Sequence, residues 1–285
     1  MIFRLNFYVP KRICELLESL DISKSNGPDG ISARMLKYTA ASITPSIARL
    51  FNQSLLSCKV PLEWKSSLVV PVPKGYDPHS PNNYRPISLL VVLSKLLERH
   101  IHSIITQHLN EHQLISNSQW GLTTGRSTVA ALLSTTHDWF KLLEEGKDIC
   151  AIFLDYRKAF DSVPHRTLID KLEGIGLNSY IIAWLSDYLT SRKQRVVVDG
   201  SISSSTEVLS GVPQGSILGP LPSTELPMWN WHLAVAWFCM QTMSLSILQS
   251  HAHLITSCCK VISMLFVTKP PKMQVYDYLK KEGAF

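Results

Sequence analysis

Apolar residues recur at helical spacing along much of the chain, in stretches separated by Gly, Pro and charged residues. The longest stretch covers residues 87–109 and predicts an amphipathic helix with leucine and isoleucine along one side. A shorter one at 29–38 follows a Gly-Pro pair, and Asp29 is its predicted N-cap. The same spacing predicts further helices at 43–56, at 128–145 and, interrupted at Gly174 and Gly176, at 165–189.

Short apolar runs bounded by Pro, Gly or charged residues predict strands. One covers residues 67–72 and is ended by Pro73, and a second, buried one covers residues 150–154. A third run at 195–198 is followed by Asp199-Gly200 and then by another short run. Since Asp-Gly favours a type I′ turn, this third run predicts a β-hairpin.

The character of the chain changes near Leu221. Before it, charged residues are spread throughout, whereas between residues 222 and 259 the only Asp, Glu, Lys or Arg is Glu225. The segment 222–285 also holds three of the six cysteines and five of the seven methionines. A folded surface normally carries charge at regular intervals, so we expect this tail to be aberrant.

Composition excludes several classes of protein. With 45% hydrophobic and 18% charged residues, the 285-residue chain is neither disordered nor fibrous. The cysteines form no C-x-x-C pair, which disfavours a zinc ribbon or a disulfide scaffold. The first residues do not resemble a signal peptide and no uniformly apolar stretch of about 20 residues occurs, so we expect an intracellular chain, nuclear or cytoplasmic, without a membrane partner. A net charge of +6 is only a weak indication of a polyanionic partner.

Residues 151–161 form the first of three segments whose residues are suited to binding or catalysis. An apolar strand ends at Asp155, and a carboxylate at the end of a rigid strand is well placed to bind a divalent metal ion. The same carboxylate can instead cap the helix that follows, and this segment alone does not decide between the two. Asp161 is more typical of a solvated residue or a turn cap.

The other two segments are rich in Gly and Pro or carry cations. Residues 211–220 (GVPQGSILGP) hold three Gly and two Pro, which favours a tight turn that a ligand can approach closely. Residues 82–88 (NNYRPIS) contain Arg85 and follow Lys74, and both cations can bind phosphate. Taken singly, these segments are equally compatible with an ordinary loop and two solvated cations.

Together, the three segments resemble the reverse transcriptases of non-long-terminal-repeat, LINE-like retrotransposons. Residues 24–31 (KSNGPDGI) and 61–65 (PLEWK) resemble further blocks of that family. Residues 119–128 (QWGLTTGRST) resemble another, although Leu122 and Thr123 depart from its usual Phe-Arg pair. The resemblance covers residues 24–221 in the family's order and spacing.

The resemblance implies an α+β fold, with the fingers and partial palm of a right-hand polymerase. Residues 1–23 would be a lead-in, 24–149 the fingers, 150–221 the part of the palm with motifs A and B, and 222–285 the aberrant tail. The motif C hairpin and the thumb would be missing, leaving the palm strand with an open edge. The implied partners are an RNA template, a DNA primer and deoxynucleoside triphosphates, and the implied cofactor is Mg²⁺.

The resemblance also implies roles for individual residues. Asp155 would be the catalytic carboxylate of motif A, holding Mg²⁺ with the backbone carbonyl of Tyr156. Phe160 would be the steric gate against the ribose 2′-hydroxyl. Substrate-binding roles, toward the base, the ribose or the triphosphate, are implied for Lys74, Arg85, Tyr156, Phe160, Gln214 and Gly215.

The sequence departs from the family at motif C, where an Asp-Asp pair is expected. No Asp-Asp pair occurs in the chain, and no Asp lies between residues 221 and 276. The genetic code suggests a reason: codons for residues 238–243 (FCMQTM), read from the third base of each codon, permit Leu-Tyr-Ala-Asp-Asp. We therefore hypothesise that the tail is the motif C region translated out of frame, with foreign sequence joined after Leu221 as the alternative.

Three functions are compatible with the sequence. The first is a reverse transcriptase fragment that is inactive because one carboxylate cannot hold two Mg²⁺ ions. The second is a non-enzymatic nucleic-acid-binding protein derived from a retroelement. The third is an enzyme whose full product arises by ribosomal frameshifting near Leu221.

Overall fold

The structure, a computed structural model, describes residues 10–75, 79–121, 123, 125–146, 148–150, 153–156, 160–220, 238–240 and 273–276. Its α-helices in these ranges are Pro10–Glu18 (α1), Ala33–Tyr38 (α2), Ala40–Ser57 (α3), Val92–Glu111 (α4), Thr128–Glu144 (α5), His165–Gly174 (α6) and Ser179–Leu189 (α7). Its strands there are Ser66–Pro73 (β1), Tyr84–Leu89 (β2), Asp148–Cys150 (β3), Phe153–Tyr156 (β4), Arg192–Val198 (β5), Ser201–Ile202 (β6), Thr206–Val208 (β7), Phe238–Met240 (β8) and Met273–Tyr276 (β9). The α+β composition is therefore confirmed.

The first predicted helix begins later than its sequence suggested. Helix α2 starts at Ala33, and its N-cap is Ser32, whose Oγ accepts a hydrogen bond from the Met35 amide at 3.1 Å. The prediction that Asp29 caps this helix is wrong. The Asp29 carboxylate instead accepts from the Ile31 amide at 3.3 Å, an Asx-turn arrangement that competes with capping.

The predicted helix at 87–109 is also wrong in its first part. Residues 84–89 form β2, which pairs antiparallel with β1 from Leu68↔Leu89 to Pro73↔Tyr84. Pro86 disfavours the α conformation at Arg85, and pairing with β1 then continues the extended backbone. Helix α4 begins only at Val92, and its apolar side is buried as expected.

The larger sheet joins distant parts of the sequence. Strand β1 lies between β2 and β5, and it runs parallel to β5 with Ser66 opposite Lys193. Strand β5 also pairs antiparallel with β7 and with β6. Asp199 and Gly200 connect β5 and β6 with φ values of 49° and 80°, which confirms the predicted hairpin and the positive φ angles of its turn.

The chain forms two compact units, and the first contains the described residues of Met1–Ser116 and Phe160–Met228. In its core, Trp184 and Tyr188 of α7 are almost fully buried and stack at 5.4 Å. The Trp184 indole N–H donates to Ser54 Oγ of α3 at 3.0 Å, so its polar atom is satisfied. This core joins α7 to α3.

Within the same unit, an ion cluster joins α7 to the segment before β1. The Asp187 carboxylate accepts from Lys65 Nζ at 2.8 Å, from Lys59 Nζ at 2.9 Å and from the Val60 amide at 2.8 Å. Lys65 is only 5% exposed, and the Asp187 carboxylate compensates for the lost hydration of its ammonium group.

The second unit contains the described residues of Asn117–Ala159 and Trp229–Phe285. The single predicted strand at 150–154 is replaced by two strands, β3 and β4. Strand β3 pairs antiparallel with β8, and β4 pairs antiparallel with β9. Both partner strands belong to the tail, so one edge of each strand is paired where we expected the palm strand to have an open edge. Helix α5 presents Leu132, Leu133 and Phe140 to solvent.

None of the helices in the described ranges is both long and apolar enough to cross a membrane.

Candidate active site

The glycine-rich loop at residues 211–217 is docked on the turn that follows β4 in the sequence. The Gly211 amide donates to the Val163 carbonyl, and the Val212 amide to the Phe160 carbonyl, each at 2.8 Å. His165 Nε2, at the start of α6, lies 2.7 Å from the Gly211 carbonyl and can donate to it. These bonds place Phe160 beside the start of the loop.

Only glycine fits where the loop meets this turn. Gly211 has a φ of 85°, and a Cβ added there would lie 2.7 Å from the Phe160 carbonyl oxygen and 2.8 Å from Asp161 Cα. Both neighbours are backbone atoms and cannot rotate away. The sequence predicted that glycine would let a ligand approach this loop closely. At Gly211 the absence of a side chain lets the loop approach the backbone of Phe160 and Asp161.

The middle of the loop is docked on β2. The Ser88 amide donates to the Gln214 carbonyl at 2.7 Å. Gly215 has a φ of 122°, and a Cβ there would lie 2.7 Å from the Ser88 carbonyl oxygen. Gly215 is nevertheless exposed on its other side, and Gln214 is half-buried. The structure therefore brings together Phe160, Gln214 and Gly215, three of the residues predicted to contact substrate.

A cavity of about 320 Å³ opens beside this loop. Pro86 and Ser88 of β2 line it, together with Gln214 from the loop, Asp161 from the turn and Arg192 from β5. Its wall thus combines backbone polar groups with side chains of both charge signs. Glu207 of β7 lines it as well, so two carboxylates and one cation contribute to a concave, polar surface that suits a ligand with hydrogen-bonding edges.

Arg192 belongs to the lining of this cavity and carries a buried cation. It is 2% exposed, donates from Nη1 to the Tyr188 carbonyl at 3.0 Å and lies 4.7 Å above the Tyr188 ring. Burial, together with the negative charge of Glu98, raises the pKa of Tyr188 far above its ordinary value, although Arg192 opposes the shift. Tyr188 is therefore a neutral phenol at all physiological pH values.

Glu98 of α4 also contacts the loop and was missed at the sequence level. Its carboxylate accepts from the Ile217 amide at 2.9 Å and is 0% exposed. The available signal was the placement of Ser94 and Glu98 on the same, largely apolar side of the helix as Ile101 and Ile105.

The two cations predicted to bind phosphate lie together near the end of the β1–β2 hairpin. Lys74 is exposed, and its Nζ donates to the Asn82 carbonyl at 3.2 Å. Arg85 is exposed opposite Val72, three residues from Ser88 along β2. Because side chains alternate along a strand, Arg85 lies on the face opposite to Ser88 and does not line the cavity.

The predicted metal ligands lie on β4. In the antiparallel pair with β9, Asp155 is opposite Gln274 and Tyr156 is opposite Met273. The side chains of both residues lie outside the described residues.

Comparison with known proteins decides the family. A model of the family described as reverse transcriptase (RNA-dependent DNA polymerase) matches residues 72–224. The chain belongs to the reverse transcriptase family. Its relatives include a probable RNA-directed DNA polymerase from transposon BS of Drosophila melanogaster, 34% identical over 79% of this chain and 25% of the relative.

Further relatives of this reverse transcriptase chain place it among non-long-terminal-repeat elements, as the resemblance implied. The RNA-directed DNA polymerase from mobile element jockey of Drosophila melanogaster is 29% identical over 74% of the chain and 23% of the relative. The Pol polyprotein of type-1 retrotransposable element R1 of Bradysia coprophila is 31% identical over 70% of the chain and 19% of the relative. The chain therefore spans about a quarter, or less, of the length of these relatives.

Reverse transcriptases generally use Mg²⁺, so the donors in this chain can be tested against that ion. Asp155 and Tyr156 would supply one carboxylate and one carbonyl oxygen. A two-metal site needs carboxylates that bridge or bind both ions, each ion being octahedral with oxygen ligands. This donor set does not fit a two-metal site, and among the described side chains no cluster of three or more His, Cys, Asp or Glu could hold a metal ion.

Proposed function

We propose that the chain is the fingers and partial palm of a non-long-terminal-repeat reverse transcriptase and that, with its present tail, it is inactive as a polymerase. In this proposal the fingers span residues 24–149, the partial palm spans residues 150–221, and the segment 222–285 is out of frame. The ligands of the site would be an RNA template, a DNA primer and an incoming deoxynucleoside triphosphate.

One observation carries the proposal: the docking of loop 211–217 on both β2 and the turn at 160–163. Three segments that are distant in sequence thereby meet around one polar cavity. Phe160, at the start of that turn, would exclude a ribose 2′-hydroxyl. Gln214 and Gly215 would lie under the incoming nucleotide and the template.

The cations have a separate role in the proposal. Lys74 and Arg85 are exposed on one hairpin and are free to reach a polyanion that lies over it. They would bind the triphosphate, Arg85 through its planar fork and Lys74 as a point charge. Tyr156 would complete the surface that contacts substrate, with its carbonyl directed at a metal ion.

Inactivity follows from the donor set. Two-metal nucleotidyl transfer stabilises both the attacking and the leaving oxygen, and a single carboxylate cannot fix both ions in the required geometry. The match to the family ends at residue 224, close to where charged residues disappear from the chain. This coincidence supports a change of reading frame near Leu221.

A primer-extension assay with an RNA template, a DNA primer, Mg²⁺ and labelled deoxynucleotides tests the proposal. We expect the chain to bind the template–primer duplex in a salt-dependent manner and to incorporate no nucleotide. The matched control is Asp155→Asn, which should bind the duplex as tightly as wild type when Mg²⁺ is omitted. Mg²⁺-dependent incorporation that Asp155→Asn abolishes would contradict the inactivity, and absence of duplex binding would contradict the proposal as a whole.

A further inference from the structure

Glu98 is a fully buried carboxylate on a largely apolar side of α4. It is 0% exposed, and its neighbours on the same side of α4 include Leu97, Ile101 and Ile105, each also 0% exposed. Burial of a carboxylate is costly unless hydrogen bonds compensate for its lost hydration. A residue serving only to fill the core would be apolar, so the position calls for a polar role.

Both oxygens of this carboxylate are used. Oε2 accepts from the Ile217 amide at 2.9 Å, and Oε1 accepts from Ser94 Oγ at 2.9 Å. Ser94 lies one helical turn before Glu98 and is 2% exposed, so it fixes the carboxylate from within α4. The orientation of the Glu98 side chain is thus set by a bond within α4 as well as by its bond to the loop.

The surroundings of Glu98 are polar and closely packed. The neutral phenol of Tyr188 lies near enough for the negative charge of Glu98 to raise its pKa, and Arg192 acts on the same phenol in the opposite direction. Ser216, the loop residue before Ile217, is 8% exposed. Helices α4 and α7, strand β5 and the loop therefore meet in one buried polar cluster around Glu98.

The bond from Ile217 differs in kind from the other bonds that the loop amides donate to the rest of the protein. The amides of Gly211 and Val212 donate to backbone carbonyls, which no substitution removes. The amide of Ile217 donates to a side chain. Gln214 and Gly215 lie between these two attachments, so the second attachment limits how far they can move.

We infer that Glu98 is a positioning residue, which fixes the C-terminal half of the glycine-rich loop and thereby holds Gln214 and Gly215 against β2. The anchoring is inferred from the hydrogen bonds that Glu98 accepts from the Ile217 amide and from Ser94. Its consequence for nucleotide or template contact rests on the proposed function.

Hydrogen exchange of the Ile217 amide tests the anchoring in the full chain. Glu98→Asp keeps the charge but withdraws the carboxylate by one methylene, so we expect Ile217 exchange to rise by about tenfold or more. Glu98→Gln keeps an acceptor at the same reach, and its rise should be clearly smaller. The matched control is Glu111→Asp, at the exposed end of the same helix, where the Glu111 carboxylate accepts from Gln107.

The order of these variants decides the inference. Unchanged Ile217 exchange in Glu98→Asp would overturn it, and so would a larger effect in Glu98→Gln than in Glu98→Asp, which would indicate a role for charge alone. An equal rise at the buried Phe51 and Leu55 amides of α3 would mean general destabilisation and would also overturn it. In Glu98→Asp we expect exchange at those amides to rise far less than exchange at Ile217, and in Glu111→Asp we expect exchange at every amide to match wild type.

Binding of an RNA–DNA template–primer separates this inference from the proposed function. In wild type, bound duplex should slow exchange across residues 211–217, and Glu98→Asp should weaken duplex binding by about fivefold at a temperature where both proteins are folded. If wild type binds no duplex, the proposed function fails, and the Ile217 exchange still decides the role of Glu98. If both proteins bind equally although Ile217 is released, the positioning role is overturned.

Discussion

Replacement of Gly215 by Ala should release the loop from β2, because the backbone of Ser88 occupies the space that a methyl group needs. The added Cβ would lie 2.7 Å from the Ser88 carbonyl oxygen, well inside ordinary contact distance. The φ of 122° is also one that residues with a Cβ rarely adopt. The substitution therefore combines backbone strain with a clash against an atom that cannot rotate away.

The magnitude can be estimated from these two effects. Backbone strain at such a φ costs about 1–3 kcal/mol. Relief of the clash requires the loop to move away from Ser88, which lengthens the 2.7 Å bond from the Ser88 amide to Gln214. Loss of that bond costs about 1 kcal/mol, so we expect a total loss of about 2–4 kcal/mol in the free energy of unfolding.

Urea unfolding followed by tryptophan fluorescence measures this loss, since Trp64 and Trp184 are buried in the core of the same unit. The matched control is Gly30→Ala, where φ is 70° but nothing lies within 4 Å of the added Cβ. That control should cost about 1–2 kcal/mol, from strain alone. The reasoning would be refuted if Gly215→Ala cost no more than Gly30→Ala while the Ser88 amide stayed as protected from exchange as in wild type.

Two further predictions concern charged groups. Burial alone would raise the pKa of Asp187, but the hydrogen bonds from Lys65, the Val60 amide and Lys59 outweigh it, so the pKa is lowered from 3.8. The ionised Asp187 carboxylate therefore stabilises the fold above that value, and this stabilisation is lost as the pH falls through the lower pKa of the folded state. Asp187→Asn should cost about 3–5 kcal/mol near neutral pH because it leaves Lys65 buried without its partner, and the difference from wild type in urea unfolding should shrink below about pH 4; a difference that does not vary with pH would contradict this. The double variant Lys74→Gln, Arg85→Gln should weaken binding of a deoxynucleoside triphosphate and make that binding less dependent on salt, with Lys11→Gln, Arg12→Gln as the matched control; an unchanged affinity would contradict the triphosphate role.

Much of the local structure could be predicted from the chain. Helices α3, α5, α6 and α7 follow the apolar periodicity, and the Asp199-Gly200 turn forms because its two residues tolerate positive φ. The strand β2 could not be separated from the helix after it, since its apolar residues also fit helical spacing. Pairing with β1, a tertiary interaction, decides its conformation.

The candidate site shows the same division between local and distant interactions. Gly211 and Gly215 were identified as positions of close approach, but the partner of each lies far away in sequence, at Phe160 and Ser88. Glu98 was missed because a single acidic residue in an apolar helical pattern is equally compatible with a position at the solvated border of the apolar face. Its role appears only when the Ile217 amide is placed beside it.

The nucleotide sequence of the gene from codon 219 to several hundred bases beyond codon 285, translated in all three frames, tests the central claim most directly. The claim is that a change of frame interrupts a reverse transcriptase palm in this chain. We expect the frame read from the third base of each codon to spell Leu-Tyr-Ala-Asp-Asp across codons 238–243 and to continue open beyond them. If neither of the other two frames encodes an Asp-Asp pair in this region, the tail is not an out-of-frame motif C, and the claim is contradicted.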